Sequence, residues 1–456
     1  MSNPVTRFLF DPVDAEGDRV PARFRFTGDQ RWWAAPLGVG LLLLVAGMVV
    51  GLVSGDVSRT LFSYLIGWVF CVSIAIGALF FVMIQHITKS RWSVTLRRIP
   101  EALAASFPLL ALAGIPVLLG YYDLFHWTHS ELFDPASPEY DAIIAGKEAY
   151  LNMPFFVIRY VVYFALFSVL GHKLYTLSVR NDAKPDVQNT LDLRKWSAIG
   201  IPLAAVATAF FAYDYLMSTD PHWFSTMFGV YFFAGGWLGA LCLIAFLALL
   251  LKKGGMATDI TVEHTQDVGK FMFGFVVFWT YVAFSQYMLY WYANLPEEIV
   301  WFQKRFTGGW EVVAWSLFIF HFILPFLILL PRNTKRIAPA LATMAVWLLV
   351  MHWVDLWWIA MPSMHVAAEA GHAALASGGG ELLASLQTIP PAEAVGEATS
   401  GMALHVVEPH LPIVEMAVWL GLFGLFLGTT MLRLGRHAVT PYGDPYYADS
   451  LRFENV

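Results

Sequence analysis

Cysteine is nearly absent: Cys71 and Cys242 are the only two in 456 residues. They form no CxxC, no CxxCH and no set of four, which excludes iron–sulfur clusters and covalent c-type haem on ligand count. No Walker loop and no GxGxxG occurs either, so nucleotide binding by a familiar route is excluded. Charge is scarce too. Charged residues make up 14% of the chain, where a soluble protein carries about a quarter. Any redox metal served by this chain is therefore expected on another polypeptide.

Hydrophobic residues fill the space that charge leaves, at 58% of the sequence with 36 Phe and 18 Trp. Apolar runs of about 20 residues read as membrane-spanning helices. Ten are predicted, at roughly 34–53, 61–86, 101–121, 154–173, 196–217, 223–251, 270–293, 311–331, 337–360 and 411–432. The fold class expected is an all-α integral membrane protein. The N-terminal arm MSNPVTRFLFDPVDAEGDRV has no apolar core and is expected to be a tail rather than a cleavable signal peptide.

Ten spans return both termini to one side. Tail 1–33, the loops around 87–99, 174–195, 252–270 and 332–336, and the C-terminal tail, together with Lys173 at the inner end of the fourth span, hold 23 of the 28 basic residues. The alternating loops hold four, and Arg159 lies in a span. The excess of Lys and Arg marks the cytoplasmic side, so both termini are expected there and the hairpin STDPHW faces outward. The outer loop 361–410 carries His365, His372, His405 and His410 with no Lys or Arg, and loop 122–153 carries His126 and His129. Outer loops of that size suggest a partner on that face.

A charge in hydrocarbon costs on the order of 3 kcal/mol, so ionisable groups within spans need a reason. The candidates are Arg159, Asp214, Gln286, His321, His352, Asp355 and Glu415, most of them in the outer half of the membrane. His86 and His172 stand at inner ends of spans. They offer a conceivable pair of haem ligands at one depth, but no clean second pair exists, and no haem is expected. His352 and Asp355 lie three apart on one helical face. They suit either a proton-relay or quinol-contact role, or a polar pair pinning two helices. Asp214 has the same two readings, the structural one with Arg159 or a tyrosine as its partner. Gln286 and Tyr290 lie four apart, with Gln286 deep enough to line a cavity, while Trp291 and Tyr292 suit the interfacial belt. His222 in the hairpin is either a loop residue satisfied by the next helix or a functional group, and Glu297 and Glu298 are expected to be solvated. Gly235 with Gly239, and Gly424 with Gly428, read as close helix contacts.

Three stretches, YDYLMSTDPHWFSTMFGVYFFAG, FSQYMLYWYANLPEE and MHWVDLWWIAMP, resemble the membrane subunits of the alternative complex III of bacterial respiratory chains. Those belong to the broader NrfD and polysulfide-reductase membrane-subunit family. The resemblance implies two four-helix bundles, at 61–221 and 222–360, with peripheral helices at 34–60 and 411–456 and a periplasmic loop at 361–410. It also implies a place in the bacterial inner membrane, in a complex that oxidises quinol (menaquinol or ubiquinol). Implied partners are an iron–sulfur subunit, c-type cytochromes, a sister NrfD-like membrane subunit and a terminal oxidase, with lipid and no nucleic acid. Asp214, His352, Asp355, His321, Arg159, Gln286, Tyr290 and His222 would then serve a proton path or contact quinol.

Two other classes compete. A secondary transporter would show paired interruptions at mid-membrane; Pro108 and Pro116 interrupt span three, but no matched partner appears in the other half. A structural anchor would have no use for buried acids.

Overall fold

The structure, a computed structural model, describes residues 20–364, 409 and 411–455. The four histidines of loop 361–410 lie outside the described residues. Ten helices are long and apolar enough to cross a membrane: α1 (Arg31–Val53), α2 (Val57–Ile87), α3 (Arg98–Leu119), α4 (Met153–Ala183), α5 (Val187–Thr219), α6 (Phe228–Lys253), α7 (Val262–Ala293), α8 (Trp310–Leu329), α9 (Ala338–Ser363) and α10 (Ile413–Arg436). No strand occurs among the described residues. The chain is an all-α, multi-pass membrane protein.

Several helices outrun their apolar segments. The span expected at 154–173 continues to Ala183, and that at 196–217 begins at Val187, where the Asp186 side chain accepts from the Gln188 N–H. Charges end an apolar run without ending a helix, because a helix that leaves the bilayer can wet its charged turns. α3 is broken into Arg98–Ala104, Phe107–Ala113 and Ile115–Leu119. Pro108 and Pro116 stand in the first turns of the second and third pieces, where a missing N–H costs least. α8 contains a π-helical stretch, Leu317–Ile323.

α2 lies at the centre, its apolar window wholly buried, and packs on α3, α5, α6, α9 and α10. Within α2 to α5, α2 packs on α3 and α5, and α4 on α3 and α5. Within α6 to α9, α6 packs on α7 and α9, and α8 on α7 and α9. α2 crosses α6 between these two groups. Gly77 and Gly236 meet at that crossing: a Cβ on Gly77 would stand 2.5 Å from the Gly236 carbonyl oxygen. α1 and α10 run along each other at the edge, Gly40 against the backbone of Gly421 and Gly424.

The faces of the bundle are tied by polar contacts. On the face that carries the termini, the tail after α10 docks back onto the helices. Asp444 pairs with Arg97, Asp182 pairs with Arg98 and accepts from the Gly443 N–H at 2.9 Å, and Ser450 Oγ donates to the Trp92 carbonyl at 2.9 Å. On the opposite face, a ten-residue helix that was not expected, Pro296–Arg305, lies between α7 and α8. Its Trp301 stacks on Trp223 of the STDPHW hairpin at 4.2 Å, and Lys304 pairs with Asp220 at 2.9 Å.

Candidate functional site

Two buried carboxylates, one in each helix group, have opposite surroundings. Asp214 of α5 is held by four donors. Arg159 Nε and Nη2 donate to its two oxygens at 2.8 and 3.0 Å, the Tyr163 hydroxyl at 2.8 Å and the Tyr150 hydroxyl at 2.9 Å. The guanidinium stacks on the Tyr150 ring at 3.9 Å. Every lone-pair direction of the carboxylate is used and its charge is matched.

Asp355 of α9 is 2% exposed and has no ion-pair partner among the described residues. The Tyr231 hydroxyl of α6 donates to Oδ1, and the Trp279 indole N–H of α7 donates to Oδ2 at 3.2 Å. A buried carboxylate with neutral partners alone is expensive in a membrane interior.

His352 does not bond to Asp355, although the two share a face. Its Nε2 meets Ser73 Oγ of α2 at 2.9 Å, and that hydroxyl donates its single proton to the Phe70 carbonyl at 2.8 Å. With the serine proton on the Phe70 carbonyl, the serine accepts from the imidazole; the ring hydrogen is then on Nε2, and Nδ1 is a buried acceptor with no partner among the described residues. Gly235 and Gly239 do more than bring helices together: they leave room for this ring. A Cβ at Gly235 would lie 3.0 Å from His352 Nδ1, and one at Gly239 3.2 Å from its Cδ2. His321, on the π-helical stretch, is wholly buried against the Trp279 ring at 4.0 Å, with neither nitrogen hydrogen-bonded.

Beside this cluster lies a cavity of about 380 Å³ between α6, α7, α8, α9 and the Pro296–Arg305 helix. Its wall is apolar and mostly aromatic, with a few polar groups, chiefly those of Tyr231, Thr280, Gln286 and Tyr287. Tyr231 and Trp279 belong both to this wall and to the shell of Asp355. Gln286 is 4% exposed, and its carbonyl oxygen has no hydrogen-bond partner among the described residues. Phe284 and Phe318, also in the wall, are exposed on the outer surface of the helices, so the cavity opens toward the lipid side between α7 and α8.

The remaining candidates fall elsewhere. Tyr290 does not join Gln286: its hydroxyl donates to the Phe224 carbonyl at 2.5 Å, and Tyr287 takes the place in the wall. His222 is satisfied by Asp141 of loop 122–153 at 2.6 Å and not by the start of α6. Glu415 bridges to Arg59 at 2.8 Å, joining α10 to the start of α2. Among the described residues no cluster of His, Cys, Asp and Glu is arranged to hold a metal.

Sequence reasoning missed Tyr231, Trp279 and Ser73. A tyrosine and a tryptophan well inside apolar spans were the available signal, since each needs a partner for its polar hydrogen when buried. No family model matches the chain, and no curated protein matches it.

Proposed function

We propose that this chain is the membrane subunit of a quinol-oxidising respiratory complex of the alternative complex III type, the ActF rather than the ActC member of its sister pair. In this reading it sits in the bacterial inner membrane with both termini cytoplasmic, and the α6–α9 group holds a quinol and takes up its protons. The observation that carries the reading is Asp355, an unpaired buried carboxylate whose two donors, Tyr231 and Trp279, both line an apolar cavity of about 380 Å³.

A quinol ring and the first part of an isoprenoid tail suit a cavity of this size with aromatic walls and a side opening to lipid. The unpartnered carbonyl oxygen of Gln286 accepts one quinol hydroxyl. The other donates to the Tyr231 oxygen. Oxidation releases two electrons, which leave to the iron–sulfur and c-haem partners, and two protons. As the ring loses electrons, Tyr231 accepts a proton from the quinol and passes its own to Asp355. No cation holds Asp355 as an anion, so gaining that proton breaks no ion pair. His352 Nδ1 and the one unprotonated nitrogen of His321 are unoccupied bases of the same group for onward transfer. Once Asp355 has passed its proton on, the second quinol proton follows through Tyr231. Asp214 has no such freedom, because protonating it would strand the Arg159 charge; in this reading it is the anchor of the first helix group. A purely structural chain would have no reason to bury Asp355 without a counter-charge.

The test is quinol:acceptor turnover of the purified assembly carrying Asp355→Asn or Tyr231→Phe. Proton transfer by a positioned group contributes about 100-fold or more, so a drop of that order in kcat is expected for Asp355→Asn with the assembly intact. Gln286→Leu raises KM and leaves kcat closer to wild type. Wild-type kcat and KM in all three variants would reject the reading.

A further inference from the structure

A second cavity, of about 250 Å³, lies between α4 and α5 at the face that carries the termini, far along both helices from Asp214. Its wall is unlike the first. His172, Lys173, Thr176 and Arg180 line it from α4, and Asp192 and Trp196 line it from α5. Lys173 and Arg180 form no ion pair among the described residues, and the Lys173 ammonium lies 5.8 Å from the centre of the Trp196 ring. The Asp192 carboxylate already accepts from Gln188 Nε2 at 3.0 Å. Thr176 is 6% exposed, yet its hydroxyl has no hydrogen-bond partner among the described residues, not even the carbonyl one turn back that Thr208 and Thr430 use.

These residues stand where a lipid headgroup would lie. His172 is 19 residues into a 31-residue helix that starts on the opposite face, about 28 Å along its axis at 1.5 Å per residue. That length is close to the thickness of the hydrocarbon core. A tryptophan at the same level suits the interfacial belt. With His172 neutral, two cations and one carboxylate leave the wall one positive charge in excess, the complement of one phosphodiester.

We propose that this cavity binds the headgroup phosphodiester of an anionic glycerophospholipid in the leaflet on the termini side. Lys173 and Arg180 pair with the phosphate oxygens, the Thr176 hydroxyl donates to one of them, and the acyl chains run along the exposed apolar side chains of α4 and α5, such as Val169 and Ile199. Asp192, the one repelling group, sits at the edge of the site and sets its selectivity. It disfavours headgroups that carry further negative charge. The proposal is independent of any quinol chemistry in the other helix group.

The full chain, delipidated in detergent and then exposed to mixed micelles of phosphatidylglycerol or phosphatidylcholine, can be examined by native mass spectrometry. Retention of one phosphatidylglycerol in preference to phosphatidylcholine is expected. Each cation near an anionic lipid surface adds roughly fivefold to binding, so Lys173→Gln with Arg180→Gln should weaken retention about thirtyfold. Both side chains are exposed, and an unchanged melting curve of the double variant checks that the helices still pack. Asp192→Asn should tighten retention. Equal retention of the two lipids would overturn the proposal, as would a double variant that holds phosphatidylglycerol as the wild type does. Displacement of the lipid by inorganic phosphate at millimolar concentration would also overturn it, in favour of a soluble anion as the ligand.

Discussion

Arg159 grips both oxygens of Asp214, at 2.8 and 3.0 Å, while among the described residues Asp355 in the other helix group meets only a tyrosine hydroxyl and an indole N–H. The two acids look alike in the sequence, each within an apolar helix. Their surroundings set them apart.

Asp214→Asn removes a counter-charge from Arg159, whose side chain is 8% exposed. Stranding one member of a buried pair costs about 3–5 kcal/mol, whereas replacing both with apolar residues is often close to neutral. The single variant should therefore melt several degrees lower and give a poor yield of folded protein. Arg159→Leu combined with Asp214→Leu should recover part of that loss. Differential scanning fluorimetry of the three proteins checks the order.

Gly77→Ala should be poorly tolerated, because its new methyl would meet the Gly236 carbonyl oxygen at 2.5 Å where two central helices cross. Overpacking of this kind costs about 1–3 kcal/mol. Gly274→Ala makes the matched control. Nothing lies within 4 Å of that site, and alanine in an open helical position is neutral or stabilising by up to about 1 kcal/mol. Melting temperatures of the two variants should move in opposite directions or differ clearly in size.

Ten spans were legible because a bilayer demands long apolar runs whatever the tertiary fold. Gln286 as a cavity residue was legible for a similar reason, being a polar amide deep in a span. The difference between Asp214 and Asp355 was not, since it depends on a guanidinium 55 residues away in one case and on its absence in the other. The His352–Asp355 spacing correctly gave a shared face but not its neighbours: Ser73 on α2 and Tyr231 on α6 capture the two side chains separately. The Pro296–Arg305 helix was hidden because only ten residues form it, too few for a span. Its signs were Pro296 at the first helical position and Lys304 with Arg305 in the last turn.

Acid should loosen the face that carries the hairpin. Partial burial pushes the Asp141 carboxyl up, but the N–H groups of Ile144 and Ile143 and the His222 imidazole outweigh this and hold it below the ordinary aspartate value. Burial likewise pushes Asp220 up, and the Lys304 ammonium at 2.9 Å more than offsets it. A depressed carboxyl stabilises the fold fully above its unfolded value and loses that contribution as pH falls through the folded one. The contribution is thus constant near neutrality and fades below about pH 4. Melting temperature measured from pH 7 to pH 3 should fall less steeply in the Asp141→Asn, Asp220→Asn double variant than in the wild type.

The central claim is that quinol occupies the cavity bordered by Tyr231 and Trp279. The most direct measurement is photo-crosslinking of the purified assembly with azido analogues of a benzoquinone and a naphthoquinone, followed by peptide mapping. Label is expected in 279–287, 301–306 or 314–322 of this chain, reduced by excess unlabelled quinone and weakened in Gln286→Leu. Label confined to the α2–α5 group or to other subunits, with none in those three segments, would contradict the claim.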